Sequence, residues 1–510
     1  MLAPFEAVSR LALDTETAGD SLRLVQLSDG NSPPVILDAQ KVDLKATLVS
    51  LLETKKLILQ NACFDLRILQ NAFNLKIPTK RVFDTYVASA LLTNTSVTQE
   101  ERRRRKRRDW SPNRLESIVR RILGVELDKT HQDSDWSVDL SLLENASMLA
   151  YAANDVRHLH ALRLHLEGEL ETAGLLPVYE LERDLILCIT EMSLTGLPVD
   201  VAALKRLYAE ALEISAKEEA RLLKTLNCEI NPRSRKAQLL PALQALGLTI
   251  DGAPLASTDK KFLRLIDQAD HPAAVAVLDW SVANEEAKQL KTWLGLVDQE
   301  KGWVWPELNQ FGTISHRFVY KRPNMQQVKK SALRSIITAP AGEIIVRADF
   351  KTLELIIAAV LYNETEILEQ LRRGVDLHTL TASVLFHVCI NSVTEEQREV
   401  GKVTNFSLLY GRSLEEYVRA LRRADVEMTQ EEMRRAYSDF DLAWPNWAAH
   451  RKTLGLMIGR RTHPRETRSL YGRRILLDES LSNRELRGAL LNYRVQSTAS
   501  DMLKMTMLYA

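Results

Sequence analysis

The chain has 510 residues, 45% of them hydrophobic and 26% charged, which gives apolar material for about three packed domains and excludes a disordered or fibrous protein. Sixty-eight Lys and Arg stand against 67 Asp and Glu, and a formal net charge of +1 argues against a uniformly basic, histone-like binder. The four scattered cysteines offer neither a disulfide framework nor a zinc spacing, the N-terminus lacks a signal-peptide core, and no apolar run nears the ~20 residues of a membrane span; a soluble cytoplasmic protein with no membrane partner is expected.

In chain order, short apolar runs bounded by turn residues predict strands at Leu11–Asp14, Leu24–Leu27, Val35–Leu37 and Leu57–Gln60. Helical periodicity follows at Phe64–Ala72, Thr85–Leu92, Leu115–Leu123 and Ala146–Leu166. From Pro177 to Leu296 the pattern is almost wholly helical, broken at Gly196-Leu-Pro198 and Asn231-Pro-Arg-Ser234. A strand is predicted at Glu343–Ala348, helices from about Leu353 to Tyr437, a hairpin around Ser469–Ile475, and a terminal helix from Arg484. Three units emerge: α/β, all-α, and a mixed C-terminal unit. Arg102–Arg108 is an unbroken basic run, expected to be an exposed loop that touches nucleic acid only incidentally.

Carboxylates mark a first candidate site. Strand geometry puts Asp14 and Glu16 on one face and turns Thr15 away. Asp65 follows the Leu57–Gln60 strand, and the four-residue spacing of Tyr151 and Asp155 stacks hydroxyl and carboxylate on one helix face. Four carboxylates in one place repel unless cations lie among them, and such oxygen ligands suit Mg²⁺ or Mn²⁺. Two ions ~3.5–4 Å apart can activate water and stabilise the leaving oxygen of a phosphodiester.

The ordered segments LALDTET, LILQNACFD and YAANDVRHL, with LESIVRRILGVELDKTHQDSDW between the last two, resemble the DEDDy 3′→5′ exonuclease superfamily over residues 8–165. That resemblance implies Asp14, Glu16, Asp65 and Asp155 as metal ligands and Tyr151 as the residue that positions water.

A second stripe, Arg398, Lys402, Phe406 and Tyr410 at intervals of four, carries two cations and then two aromatics along one helix edge. It fits a platform for a triphosphate at one end and a base at the other. With RADFKTLEL (347–355), REVGKVTNFSLLYG (398–411), GTISHRFVYKRPNMQQV (312–328), LYGRRI (470–475) and NYRVQSTASDMLK (492–504), the chain resembles family A DNA polymerases. The implied fold is α/β and α+β multidomain: a ribonuclease H-like exonuclease domain (1–175), then a right-hand polymerase with helical thumb (176–305), first part of the palm (306–365), fingers (366–476) and second part of the palm (477–510).

The same resemblance implies Asp349 as ligand of both catalytic magnesium ions and Glu354 as the gate against a ribose 2′-OH. Arg398, Lys402 and His378 would hold the triphosphate, Phe406 would pack on the incoming nucleotide, and Tyr410 would guard the template position. Arg317, Asn324, Gln326, Asn492 and Gln496 would contact DNA, Arg317 and Gln496 in the minor groove. Residues 311–347 carry seven basic side chains against Glu343 alone, in keeping with a DNA path.

Implied partners are primer–template DNA and deoxynucleoside triphosphates; cofactors are two Mg²⁺ (or Mn²⁺) per active site, and the expected state is a monomer of bacterial, phage or plasmid origin. The sequence leaves any processivity factor open. It departs from the family at Phe350-Lys-Thr352, at Ser315-His-Arg317 and at Lys329, and it contains no His-Asp-Glu motif. Impaired polymerisation and a truncated gene product are therefore expected, with an exonuclease-only protein holding primer–template in a polymerase-like clamp as the alternative.

Overall fold

In the computed structural model the described residues are 3–93, 111–132, 134–142, 145–250, 252–259, 263, 266, 270–328, 332–424, 426 and 428–509. The basic run Arg102–Arg108 and Lys329 lie outside them. The chain folds into two compact units, one formed by residues 1–195, 308–319 and 456–510, the other by 196–307 and 320–455.

The first unit is built on a five-stranded sheet of order β3-β2-β1-β4-β5: β1 (Arg10–Ala18), β2 (Ser21–Ser28), β3 (Val35–Asp38), β4 (Lys56–Leu59) and β5 (Val82–Asp84). The hairpin-connected β1, β2 and β3 pair antiparallel, whereas β4 and β5 join in parallel. All four expected strands are present. The fifth, β5, has only three residues, too few for an alternation to show.

Strand period divides β1 and β2 between two faces. Leu11, Leu13, Val25 and Leu27 enter the main core with Leu66 and Leu69 of helix α1 (Cys63–Phe73). On the other face Leu24 packs with Trp136, Met148, Tyr151 and Ala152, so helix α2 (Ala146–Arg157) covers it. The expected single helix Ala146–Leu166 is interrupted at His158 and resumes at Leu159–Thr172. Leu115–Leu123 is helical as expected.

Distant parts of this unit meet at charged groups with no exposed surface. Glu182 lies on helix α3 (Leu176–Thr195), Arg473 in the hairpin of Glu466–Arg468 with Arg474–Leu476, and Asp501 and Lys504 on the terminal helix Asn483–Tyr509. Glu182 Oε1 accepts ion pairs from Arg473 (2.5 Å) and Lys504 (2.6 Å), and Arg473 Nε donates to Asp501 at 2.6 Å. Gln310 closes the group: its amide donates to Glu182 at 2.7 Å and its carbonyl accepts from Lys504 at 2.9 Å. His316 Nδ1 accepts from Arg473 at 2.9 Å. Burial, reinforced by the Arg473 and Lys504 cations, holds that imidazole well below its ordinary pKa, so it stays neutral.

The second unit is mainly helical. Val201–Leu226 and Pro272–Leu296 are its longest helices and pack against each other. The predicted strand Glu343–Ala348 is not formed. Residues 343–350 are irregular and exposed, with Ile344 84% and Val346 81% accessible. A strand is held by its ladder partners, and none of the described residues pairs with this segment. Among the described residues no helix is long and apolar enough to cross a membrane.

Glu182→Ala is expected to leave Lys504 a buried cation without its counter-charge, with Asp501 as the one anion against it and Arg473, and to cost about 3–5 kcal/mol, read as a lowered midpoint of urea unfolding. A change under ~1 kcal/mol would show that the network is energetically idle.

Candidate active site and nucleotide-binding helices

Strand β1 carries Asp14 and Glu16 on the face beneath α2, and α2 brings Tyr151 and Asp155 down onto it. One carboxylate oxygen from each of Asp14, Glu16 and Asp155 lies within 4.8 Å of the others. Thr15, one residue out of phase, faces α1 and donates to Asp65 Oδ1 at 2.7 Å. The structure thus gathers three of the four expected carboxylates into one cluster and holds the fourth, fully buried, just outside it. Asp65 still acts on the cluster, because its charge raises the pKa values of Asp14 and Glu16.

The electrostatics follow from burial and crowding. Desolvation, then the neighbouring carboxylates, pushes Asp14 far up and Glu16 to about 8. Burial raises Asp65 to about 7 against the Thr15 hydrogen bond. Asp155 is raised by burial too, partly offset by Lys129. The Tyr151 hydroxyl is pushed up by burial and by the Asp155, Glu16 and Asp14 charges, so it remains a donor, and it hydrogen-bonds Asp155. Such hard oxygen donors, destabilised as anions by one another, fit a divalent cation.

Two contributors escaped sequence reasoning. Lys129 donates to Asp155 at 2.5 Å and lies 4.7 Å from the centroid of the Tyr151 ring. It comes from an irregular segment with no periodicity to place it. Asp84, at the end of β5, accepts from the N–H groups of Asn61 (3.1 Å) and Ala62 (2.8 Å). It thereby fixes the turn that starts α1 and positions Asp65.

In the second unit Thr394 and Gln397 form a capping box that starts helix α4 (Glu395–Leu408). Arg398, Lys402 and Phe406 lie along this helix; Tyr410 falls beyond its end, its hydroxyl buried without a partner among the described residues. His378, on Leu377–Leu385, is 5.6 Å from the Phe406 ring and within 3.3 Å of the Asn405 amide. Gly401 permits that approach, since a Cβ there would stand 2.3 Å from the His378 carbonyl.

Both cations of α4 are paired with acids. Arg398 donates to Asp376 at 3.2 Å, and Lys402 to both oxygens of Glu399 at 2.9 Å. Burial would raise Asp376, but the Thr379 N–H and the Arg398 guanidinium outweigh it and bring the carboxyl down to about 2. Glu354 opens helix Leu353–Leu361 and is raised by burial to about 7, while Asp349 sits in the exposed 343–350 segment. Asn324 caps the short turn Met325–Gln327 by accepting from Gln326 N–H at 3.0 Å.

The remaining expected DNA contacts belong to the first unit. Arg317 is half-buried beside His316; Asn492 and Gln496 sit one turn apart on the terminal helix, where Gln496 accepts from Ser315 at 3.1 Å.

Comparison with known proteins matches residues 201–510 to DNA polymerase family A and residues 1–171 to a 3′-5′ exonuclease domain. DNA polymerase I of Aquifex aeolicus is 28% identical over 98% of this chain and 84% of its own length. The thermostable DNA polymerase I of Thermus aquaticus is 30% identical over 67% of this chain, and the DNA polymerase I of Treponema pallidum is 24% identical over 89%. The chain spans only 42% and 45% of those two proteins. The polymerase domain of Pol1 from M. smegmatis, solved with DNA primer–template and dNTP, shares the fold with a TM-score of 0.79 at 19% identity, over 99% of this chain and 86% of that one.

Because Glu16 and Asp65 hold protons in the folded state up to about 8 and 7, these two groups bind more protons folded than unfolded between pH ~4.5 and 8, whereas His316, kept neutral by burial, acts in the opposite sense below pH ~6.5. With EDTA present, stability is therefore expected to fall as pH rises from about 6.5 to 8, and Lys129→Met to steepen the fall. Mn²⁺ should restore stability most at the alkaline end. Thermal melts at pH 5, 6.5 and 8 with and without Mn²⁺ check both signs.

Proposed function

Since this chain belongs to DNA polymerase family A and carries a 3′-5′ exonuclease domain, we propose that it removes mispaired 3′ ends and extends a DNA primer on a template, extension being impaired where no His-Asp-Glu motif supplies a further carboxylate, as a monomeric cytoplasmic enzyme of replication or repair. The observation that carries the editing half is the convergence of Asp14, Glu16 and Asp155 beside Tyr151. Magnesium (or manganese), two ions at each site, would supply activation of the attacking oxygen and stabilisation of the leaving oxygen.

In editing, Asp14, Glu16 and Asp155 would hold the ions, with Asp65 beside the cluster as the further ligand. Tyr151, kept protonated by its anionic neighbours, donates a hydrogen bond and accepts one from water, orienting it toward the terminal phosphodiester. Water adds to phosphorus, the bond to the penultimate 3′-oxygen breaks, and a nucleoside monophosphate leaves. Lys129 fixes both Asp155 and the Tyr151 ring, which keeps the water-orienting hydroxyl and the ligand in register.

In extension the primer 3′-OH attacks the α-phosphorus of a deoxynucleotide and pyrophosphate leaves. Asp349 would bind the ions, Arg398 and Lys402 would hold the triphosphate with His378 beside them, and Phe406 would pack against sugar and base. Glu354 fills the space of a 2′-OH; Tyr410 guards the template position. Arg317, Asn324, Gln326, Asn492 and Gln496 contact primer–template. Residues 176–305, 306–365 with 477–510, and 366–476 serve as thumb, palm and fingers.

A second reading, exonuclease activity alone with the polymerase half as a clamp, is favoured by the exposed, unpaired segment that carries Asp349.

Asp14→Ala is expected to abolish Mg²⁺-dependent 3′→5′ degradation while leaving primer–template affinity unchanged in a filter-binding assay; persistent degradation refutes the editing assignment. In the Asp14→Ala background, primer extension that disappears on Lys402→Ala supports the polymerase reading. No extension at all from Asp14→Ala supports the second.

A further inference from the structure

Gln26 lies on β2 directly opposite Asp14 on β1. Residues directly opposed in an antiparallel pair share a face, their Cβ atoms ~4.5–5.5 Å apart. The next pair along that face is Glu16 with Leu24, and Leu24 packs against Tyr151 and Ala152 of α2. Gln26 is therefore sealed beneath the helix that supplies Tyr151 and Asp155. It is 0% exposed, and neither its amide nitrogen nor its amide oxygen has a hydrogen-bond partner among the described residues.

A buried amide with neither end satisfied is unfavourable, and an apolar side chain of the same length would fill the space without that penalty. The amide is well placed for one neighbour. Asp14 uses one carboxylate oxygen in the cluster with Glu16 and Asp155, which leaves its other oxygen for a donor from the adjacent strand. Ligating carboxylates are commonly oriented by such outer hydrogen bonds.

We propose that Gln26 is a positioning residue of the exonuclease centre: its amide N–H donates to the outer oxygen of Asp14 when that carboxylate takes its ligand geometry, which fixes the oxygen that faces the ion. The inference rests on reading the Asp14 cluster as a metal-binding exonuclease centre. Gln26 touches neither substrate nor metal and acts through Asp14.

The test is Mn²⁺ titration calorimetry on EDTA-stripped full-length protein carrying Asp349→Asn, which confines the signal to the first unit, with parallel metal-free thermal melts. Gln26→Met is expected to weaken Mn²⁺ binding about 10–100-fold, with a metal-free melting temperature equal to or above that of the parent. Gln26→Asn, which keeps the donor on a shorter stem, is expected to bind Mn²⁺ more tightly than Gln26→Met. Exonuclease kcat of Gln26→Met should recover at saturating Mn²⁺.

Unchanged affinity in Gln26→Met, affinity lost together with metal-free stability, or Gln26→Asn binding no more tightly than Gln26→Met would each overturn the proposal. Asp14→Ala in the same titration separates the two levels. If it leaves Mn²⁺ binding intact, the reading of the centre itself fails; if it removes binding while Gln26→Met does not, only the role of Gln26 fails.

Discussion

Glu182 with its two cationic partners is the constraint on which the first unit depends. Helix α3, the stretch around Gln310 and His316, the Arg473 hairpin and the terminal helix are far apart in sequence, and each sends a charged or polar group to the same dry point. An ion in that environment is tolerated only while all its partners stay in place. The network therefore imposes a condition on assembly: neither helix α3, the Arg473 hairpin nor the terminal helix can leave without unpairing a buried charge, and loss of the Gln310–His316 stretch would strip those charges of hydrogen bonds. That condition explains how residues 308–319 and 456–510 belong to the same compact unit as the N-terminal sheet. It also qualifies the near-zero net charge, part of which is cancelled internally where no partner can reach it.

The carboxylate cluster reverses the logic. At Glu182 opposite charges are brought together and the acid is stabilised as an anion; at Asp14 like charges are brought together and every acid is destabilised. Among the described residues, the groups that favour the cluster's charged forms are Lys129, the Thr15 and Tyr151 hydroxyls and the backbone N–H groups of Thr15 and Asp65. It persists because the strands that carry it are anchored by fully buried side chains, Leu24 on its own face and Leu11, Leu13, Val25 and Leu27 on the other. Hydrophobic packing supports an arrangement that electrostatics opposes, which is the usual condition of a site built to receive a cation.

Legibility in the sequence followed the range of the forces involved. Asp14 and Glu16 were placed together by strand period, Tyr151 and Asp155 by helix period, and helix Leu115–Leu123 by its amphipathic pattern, all local regularities. Lys129 and Asp84 were invisible because one lies in an irregular segment and the other on a three-residue strand, and both act across long sequence separations. Gly401 likewise matters chiefly through the His378 backbone, 23 positions earlier. The strand at 343–348 was overread for the same reason: β-branched residues favour a strand, yet only a partner makes one.

The two halves differ in what a ligand must do on arrival. At the exonuclease centre a cation relieves repulsion already present among buried acids. On helix α4 a triphosphate would meet cations already engaged, Arg398 with Asp376 and Glu395, and Lys402 with Glu399. The Lys402–Glu399 pair is exposed, each side chain more than 40% accessible, and a pair of that kind is worth only ~0–1 kcal/mol, whereas Arg398 and Asp376 are half-buried. A phosphate carrying more charge and more acceptor oxygens displaces them readily. The acids then act as placeholders that hold Arg398 and Lys402 near one helix edge. Asp376 does so most firmly, since it also caps the helix of His378 and stays ionised down to about pH 2. Pre-orientation of Arg398 and Lys402 for the proposed triphosphate is thus built from ion pairs along one helix face, whereas the Asp14, Glu16 and Asp155 carboxylates require a buried core to force them together.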